Sequence, residues 1–191
     1  MGNPANNSGD ILVRTARDYD LQSLSEILTE SFHPYEGLNR WTYPLLKIGI
    51  YEDLKSRLHF PGSHYNCLVA TIGVSSLSGK NQQIAGTVEL TLRSFGWNWH
   101  GQKYPYISNL AVSPNYRRRG VARKLLSGCE KAVSSWGFNE LYLHVLDNNQ
   151  QARDLYHSCG YRLERVEANY GAWFRSYPHK ILLHKTINPL I

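Results

Sequence analysis

Three consecutive arginines, Arg117 to Arg119, run directly into Gly120 and then into an amphipathic segment. The first turn of a helix carries unpaired N–H groups and the positive end of the helix dipole, so it attracts anions. Gly120 has no side chain and lets a phosphate approach the backbone closely, and Ala122 keeps the same surface low. The segment therefore has the features of a diphosphate site at the start of a helix.

Two alternatives exist for this arginine run. It can be a solvated surface, or it can be a nuclear-targeting or nucleic-acid patch. The run is not a Walker A loop, because no Gly-Lys-Ser/Thr follows, and it does not fit the GxGxxG pattern of dinucleotide-binding folds. Its position between a predicted strand and a predicted helix favours the anion site.

His144, in the segment LYLHV, is a second residue with useful chemistry. The apolar residues of this segment alternate onto one face of a predicted strand, so Tyr142 and His144 share the other face. An imidazole has a reference pKa near ~6.5 and can accept a proton at neutral pH. His144 is therefore a candidate general base. The alternative is a histidine with a purely structural hydrogen bond in the sheet.

The elements that must position these residues follow from the hydrophobic pattern. Strands are predicted at 11–14, 66–74, 83–95, 104–112, 141–145, 161–166 and 180–187, and helices after Asp18 or Asp20, over 121–136 and over 148–159. Residues 33–60 form one or two short helices limited by Pro34, Pro44 and Pro61, and SSLSGKNQ at 75–82 has the loop composition of a hairpin connection. This order predicts a single α/β domain of mixed sheet over 11–191, after a flexible tail at 1–10.

The composition is that of one globular domain, with 191 residues, 42% hydrophobic and 19% charged. The formal net charge of +6 favours an anionic partner. No apolar run approaches the ~20 residues that span a bilayer, so no membrane partner is expected. Three cysteines form no CxxC pair, which favours a reducing, cytoplasmic location. Eight histidines lack metal-ligand spacing, and no metal is expected.

The arginine run lies within a longer pattern. RRRGVA fits the signature [Q/R]-x-x-G-x-[G/A], ISNLAVSPNY precedes it, and N-x-x-A-x-x-x-Y-x-x-x-G-Y follows from Asn149 to Tyr161. Over roughly residues 104–162 the chain resembles the GNAT superfamily of acyltransferases, and LVRTARDYDL resembles the family's opening segment. The resemblance implies a mixed, mostly antiparallel central sheet flanked by helices, whose splayed central strands bind acetyl-CoA.

The resemblance also implies which residues hold acetyl-CoA. The main chain of Leu110, Ala111 and Val112 would bond the acetyl and pantetheine groups. The diphosphate would lie on the amides from Arg118 through Ala122, which include Arg119, Gly120 and Val121, with Arg117 and Arg123 nearby. Asn149 would bond the pantetheine arm, unless it is only the N-cap of its helix. Tyr156 would lie near the sulfur, unless it is only a core residue.

Acyl transfer to an amine needs a base, an oxyanion donor and an acid for the leaving thiolate. The resemblance implies Tyr156 as the acid and the amide of Leu110 or Val112 as the oxyanion donor. It also pairs Tyr106 with His144, acting together through water as in eukaryotic N-terminal acetyltransferases of the family. Bacterial ribosomal-protein acetyltransferases of the family have Glu at the position of His144.

The acceptor would lie between two aromatic-rich loops, residues 31–41 and 167–180. Phe32, Tyr35 and Tyr170 are the candidate acceptor-binding residues. Family members that act on N-termini often carry paired tyrosines in the second loop, whereas Gly171 follows Tyr170 here. This departure, and a similarity to cyanobacterial and plastid members, favour a relaxed acceptor specificity.

The sequence thus predicts an acetyl-CoA-dependent N-acetyltransferase acting on protein α-amino or lysine ε-amino groups. The alternatives are an arylalkylamine-type enzyme and a non-catalytic CoA-binding or nucleic-acid-binding module. A nucleic-acid module would spread basic residues along a face, whereas the densest cluster here lies at one helix start. No nucleic-acid partner is expected, and the protein is expected to be a monomer or a homodimer.

Overall fold

The computed structural model describes residues 10–32, 42–76, 79–94, 103–167 and 178–187. Residues 1–9 of the predicted tail lie outside this range. So do Tyr35, Tyr170 and most of the two predicted acceptor loops. Statements about these segments therefore remain predictions from the sequence.

Seven strands form one sheet. The strands are β1 Ile11–Thr15, β2 Asn66–Ser76, β3 Gly79–Ser94, β4 Lys103–Val112, β5 Glu140–Leu146, β6 Arg162–Val166 and β7 Lys180–Thr186. Their order in the sheet is β1-β2-β3-β4-β5-β7-β6, and every neighbouring pair is antiparallel except β4 and β5. The predicted mixed, mostly antiparallel sheet is confirmed.

Four helices flank the sheet: α1 Leu21–Phe32, α2 Thr42–His59, α3 Val121–Ser135 and α4 Gln150–Ser158. The apolar residues of α1 pack with Leu54 of α2 against one face of the sheet, where Cys67 and Val69 of β2 point. Residues of α3 pack against the opposite face, to which Leu68 and Ala70 contribute. Successive side chains of β2 therefore point alternately into two cores, one on each face of the sheet. The apolar faces predicted for α1 and α3 pack into these cores.

Two predictions about local structure are wrong in length. The predicted hairpin connection between β2 and β3 is confirmed, but the loop is shorter than 75–82, because the two strands stay paired up to Ser76 and Gly79. Ladder pairing overrides the weak strand propensity of these polar residues. Residues 42–59 form one helix of 18 residues rather than short pieces. Pro44 is tolerated because it lies in the first turn, where the N–H group needs no partner within the helix.

The start of α1 also differs from the prediction. Asp18 and Asp20 lie in a short 3-10 turn that runs directly into α1. The carboxylate of Asp20 accepts the N–H of Arg17 at 2.8 Å and forms a two-pronged ion pair with Arg14. The buried aspartate therefore ties β1 to α1 instead of capping the helix. In the part of the chain that the structure describes, no helix has the length and apolar character needed to cross a membrane.

Candidate active site

The two central strands separate partway along their length. β4 and β5 pair only at Tyr106 with Tyr142 and at Ile107 with Leu143. Beyond these pairs β4 contains Asn109, whose φ of 52° is in the left-handed region, and the register between β3 and β4 shifts nearby. The predicted splayed strands are therefore present, and a bend in β4 accompanies the separation.

A buried carboxylate holds this bend. Glu89 of β3, which is 1% exposed, accepts a hydrogen bond of 2.8 Å from the side-chain amide of Asn109. Its other oxygen lies 2.6 Å from Arg57 of α2 and accepts the Tyr65 hydroxyl at 3.3 Å. The sequence pattern does not identify Glu89, because alternation of a polar residue with apolar ones in a strand predicts a surface position for the polar residue. Its partners become neighbours only in the folded sheet.

The arginine run lies where the pattern predicts, at the start of α3. Gly120 is the N-cap residue of this helix, with a φ of 83°. Arg118 also has a positive φ, of 62°. This backbone path exposes the first turn of α3, whose N–H groups have no partner within the helix. A Cβ added at Gly120 would meet no atom within 4 Å.

A cavity of about 730 Å³ extends from the start of α3 to the separated strands. It is lined by Leu110, Ala111, Val112, Arg117, Arg118, Gly120, Val121, Ala122, Arg123, Asn149 and Tyr156 among the predicted residues, and also by Ser31, Tyr116, Gln151, Ala152, Asp154, Leu155 and Ser158. Of the predicted acetyl-CoA residues only Arg119 is absent from this lining, and its guanidinium lies 5.6 Å from the centre of the Tyr116 ring. Sequence analysis missed Tyr116, Gln151 and Ser158.

Two arginines of the run have partners at the cavity wall. The Nε of Arg117 donates to the carbonyl of Val112 at 3.3 Å, and Arg123 donates to the hydroxyl of Ser158 at 2.9 Å. The first contact joins the helix start to the end of β4, and the second joins α3 to α4. Arginine side chains therefore lie at the end of the cavity where a diphosphate is expected. Apolar side chains of α4, Ala152 and Leu155, line the cavity elsewhere.

The start of α4 shows that Asn149 caps its helix. The side-chain oxygen of Asn149 accepts the N–H of Ala152 at 3.1 Å. Because capping uses the oxygen, the side-chain nitrogen remains a donor, and Asn149 also lines the cavity. Capping and the predicted contact with pantetheine are therefore compatible.

Tyr156 lies on the cavity side of α4 and is 8% exposed. Its ring meets that of Tyr161 edge to face, with 5.8 Å between the ring centres. Burial raises the pKa of Tyr156 to about 12, and the nearby Tyr106 adds to the rise. Tyr156 therefore keeps its proton at neutral pH and can donate a hydrogen bond to an anion in the cavity.

Tyr106 of β4 and His144 of β5 meet on the face of the sheet opposite to the cavity wall that bears Tyr156. The hydroxyl of Tyr106 lies 2.9 Å from Nδ1 of His144, which confirms that the two residues meet. Neither lines the cavity described above. Burial raises the pKa of Tyr106, and Arg93, whose guanidinium lies 3.5 Å from the ring centre, opposes the rise.

The acceptor-binding residues are only partly described. Phe32 is the last residue of α1, and its side chain is not described. Tyr35 and Tyr170 lie outside the described residues. Their predicted contact with the acceptor stays a prediction.

Comparison with known proteins places this site in a family. A match described as the acetyltransferase (GNAT) family covers residues 21–161. The chain therefore belongs to the GNAT family of acetyltransferases. The predicted family, fold and enzyme class, an acetyl-CoA-dependent N-acetyltransferase, are confirmed.

Three relatives illustrate the range of the family. The chain is 27% identical over 175 residues to the chloroplastic GCN5-related N-acetyltransferase 10 of Arabidopsis thaliana, covering 87% of this chain and 67% of the relative. It spans 50% of the length of the chloroplastic GCN5-related N-acetyltransferase 7 from the same plant. It is also 29% identical over 151 residues to the thialysine N-epsilon-acetyltransferase of Bos taurus, covering 78% of this chain and 83% of the relative.

Solved structures confirm the fold. Arabidopsis thaliana NAA60, in complex with a bisubstrate analogue, has a TM-score of 0.68 at 20% identity and covers 95% of this chain and 100% of that one. The PaiA N-acetyltransferase of Thermoplasma acidophilum, in complex with coenzyme A, has a TM-score of 0.63 at 19% identity, over 93% of this chain and 99% of that one. The cavity between α3 and the separated strands fits such a cofactor, because it combines helix N–H groups and arginines with apolar walls.

Proposed function

We propose that this domain transfers an acetyl group directly from acetyl-CoA to a primary amine of a protein, at the N-terminus or on lysine. The observation that carries the proposal is the 2.9 Å hydrogen bond between Tyr106 and His144, beside the place where β4 and β5 part. It supplies a proton acceptor on the side of the sheet opposite to the cavity wall that bears Tyr156.

Acetyl-CoA supplies an acetyl group activated as a thioester. The amides of the first turn of α3 would hold its diphosphate, with Arg117 and Arg123 balancing the charge. The bent segment Leu110–Val112 would pair with its amide groups. The overall reaction turns an ammonium group and the thioester into an amide, a thiol and one released proton. The chain must therefore accept a proton from the amine, and the thiolate must gain one.

Tyr156 would assist this step by donating a hydrogen bond to the leaving sulfur, and the thiolate would take its proton from the solvent. A thiol has a reference pKa of ~8.5, well below the pKa of about 12 of this buried phenol. Full proton transfer from Tyr156 to a thiolate is therefore uphill, whereas a hydrogen bond to the developing negative charge is favourable. Tyr156 acts mainly as a hydrogen-bond donor to the leaving sulfur.

The pKa of the acceptor amine determines what fraction of it is already unprotonated, and therefore how much a general base must contribute. A lysine amine has a reference pKa of ~10.4 and an α-amino group one of ~7.7–8.0, so the unprotonated fraction at neutral pH is roughly a few hundred times larger for the α-amine. If both groups are modified, we expect the α-amino group to react faster. We also propose that Phe32, Tyr35 and Tyr170 contact the acceptor, and that the domain spans residues 11–191.

A peptide library incubated with acetyl-CoA and analysed by mass spectrometry tests this function. One half of the library carries a free N-terminus with lysines blocked, and the other half carries free lysines with a blocked N-terminus. A matched reaction without the protein measures uncatalysed acetylation. Acetylation above this background supports a protein acceptor, and its absence in both halves contradicts it.

A small amine is the second candidate acceptor. Similarity to the bovine thialysine N-epsilon-acetyltransferase over 78% of this chain favours it. An arm of the same experiment with thialysine and an arylalkylamine distinguishes the two, because a small-amine enzyme modifies these compounds and leaves the peptides unmodified.

The location in the cell is open to a similar test. The sequence predicts the cytoplasm, whereas several relatives are named as chloroplastic proteins. We keep the cytoplasm as the proposal for this chain, and fractionation of its source cells with an antibody against it tests the proposal. Recovery in an organelle fraction would contradict it.

A further inference from the structure

We propose that Glu167 is a positioning residue for His144, so that Tyr106, His144 and Glu167 form one proton relay. This inference rests on the proposed function, because it concerns the group that accepts the proton of the acceptor amine. Neither the sequence pattern nor the family motif identified Glu167. It follows directly after β6, two strands away from β5 in the sheet.

The backbone fixes the position of Glu167. Val166 pairs with Ile181 at the end of the β6–β7 ladder, and the N–H of Glu167 donates to the carbonyl of Lys180 at 2.9 Å. The pairing thus continues one residue beyond β6. From there the carboxylate reaches His144, with 2.9 Å between Oε1 and the Nε2 of the ring.

These contacts favour one position of the ring proton. A carboxylate accepts hydrogen bonds, so Glu167 favours a proton on Nε2, the nitrogen that faces it. Nε2 is buried and has no hydrogen-bond partner among the described residues, and Oε1 of Glu167 lies 2.9 Å from it. Nδ1 of the neutral ring is then an acceptor and takes the hydroxyl hydrogen of Tyr106 at 2.9 Å. In the opposite tautomer, the N–H group of Nδ1 would point towards the Tyr106 hydroxyl. The lone pair of Nε2 would then point towards the Glu167 carboxylate.

The relay moves one proton without creating a phenolate. The hydroxyl oxygen of Tyr106 accepts a proton from the amine while its own proton passes to Nδ1 of His144. Tyr106 stays neutral, the ring becomes positively charged and the amine nitrogen regains its lone pair. Glu167 then faces a positive ring, which it stabilises as the aspartate of a serine-protease triad does. The ring returns its proton to solvent afterwards.

Among the described residues, Glu167 is the carboxylate that faces this ring. Arg165 lies 3.9 Å from Glu167, Arg93 lies over Tyr106, and the residue of β7 opposite His144 is the apolar Leu182. Further along the same face, His184 lies 4.0 Å from Glu164 and 3.7 Å from Glu140. Glu164, three residues before Glu167, therefore contacts a different histidine, which makes it a matched control.

The first test compares Glu167→Gln with Glu164→Gln in the full chain. Both variants lose one negative charge near β6. We expect Glu167→Gln to lower kcat about 10-fold or more, a part of the ~10²–10⁴-fold that general-base catalysis provides. The pH–rate profile of Glu167→Gln should change while that of Glu164→Gln stays as in the wild type, because only the first variant alters the carboxylate beside the His144 ring. The KM for acetyl-CoA should not change, and Glu164→Gln should stay within about twofold of the wild type.

Equal kcat values and unchanged pH–rate profiles in the two variants would overturn the role of Glu167. A second measurement needs no substrate: ¹⁵N shifts of the His144 ring should place its proton on Nε2 at neutral to mildly alkaline pH. Protonation on Nδ1 instead would overturn the relay even in an active enzyme. Conversely, the Nε2 tautomer in a protein that acetylates no peptide would contradict the proposed function and leave the arrangement supported.

Discussion

The first prediction concerns Gly120, a position that needs glycine for two separate reasons. Its φ of 83° is strained for any residue with a Cβ, and its missing side chain leaves the helix start open to a phosphate. Gly137 shares the first requirement only. It follows the other end of α3 with a φ of 82°, and a Cβ there also meets no atom within 4 Å. Comparing Gly120→Ala with Gly137→Ala therefore separates backbone strain from ligand exclusion.

The expected magnitudes differ between the two effects. A left-handed alanine costs about 1–2 kcal/mol, which in a domain of this size lowers Tm by roughly 2–8 °C in both variants. Only Gly120→Ala puts a methyl group where the diphosphate must approach. Loss of one charge-assisted hydrogen bond, about 1.5–3 kcal/mol, raises the Kd of acetyl-CoA roughly 10- to 100-fold.

Isothermal titration calorimetry with acetyl-CoA measures the two Kd values, and thermal unfolding without ligand measures the two Tm values. The reasoning is refuted if both variants bind acetyl-CoA equally well, because Gly120 would then matter only for the backbone. A larger loss of Tm in Gly120→Ala than in Gly137→Ala would show an unrecognised contact in the free protein.

Three further predictions follow from packing and burial. A Cβ at Gly86 would lie 2.7 Å from the carbonyl oxygen of Ala111, so Gly86→Ala should shift β4 and weaken acetyl-CoA binding in calorimetry, whereas Gly73→Ala, at an open position, should not. Tyr156→Phe should lower kcat by about 100-fold with an unchanged Kd for acetyl-CoA. Tyr161→Phe removes a buried hydroxyl that has no hydrogen-bond partner among the described residues, so it should keep kcat and not lower Tm. Burial raises the pKa of Tyr142 and Tyr156 to about 12, so between pH ~10 and ~12 the unfolded chain loses protons that the folded chain keeps. The free energy of unfolding should therefore fall over this range in urea titrations, and a flat profile would contradict the burial of these phenols.

The parts of the site that the sequence predicts correctly depend on local structure. The arginine run, Gly120 and the apolar face of α3 lie within about twenty residues, so the periodicity of one helix and its start signal locate them. Asn149 and Tyr156 likewise lie seven residues apart on one helix. Tyr106 and His144 are distant in the chain, and the family motif joined them because β4 and β5 are neighbours in its fold.

The parts that the sequence does not predict depend on the order and length of strands. Glu167 contacts His144 because β7 inserts between β5 and β6 and the ladder continues past Val166. Glu89 is buried because α2 brings Arg57 over β3, and the length of α2 was itself predicted wrongly. The sequence around a polar residue in a strand does not indicate which residue of another element will contact it.

The bend in β4 depends on Glu89, one of these two unpredicted carboxylates. Holding Asn109 in the left-handed region costs energy, of order 1 kcal/mol for a residue that tolerates it, and a hydrogen bond to a charged group returns about 1.5–3 kcal/mol. Glu89 is therefore sufficient to hold the bend from the β3 side, with Arg57 balancing its charge. Because β3 and α2 hold β4, pairing with β5 is not needed beyond Ile107, and β5 is free to diverge.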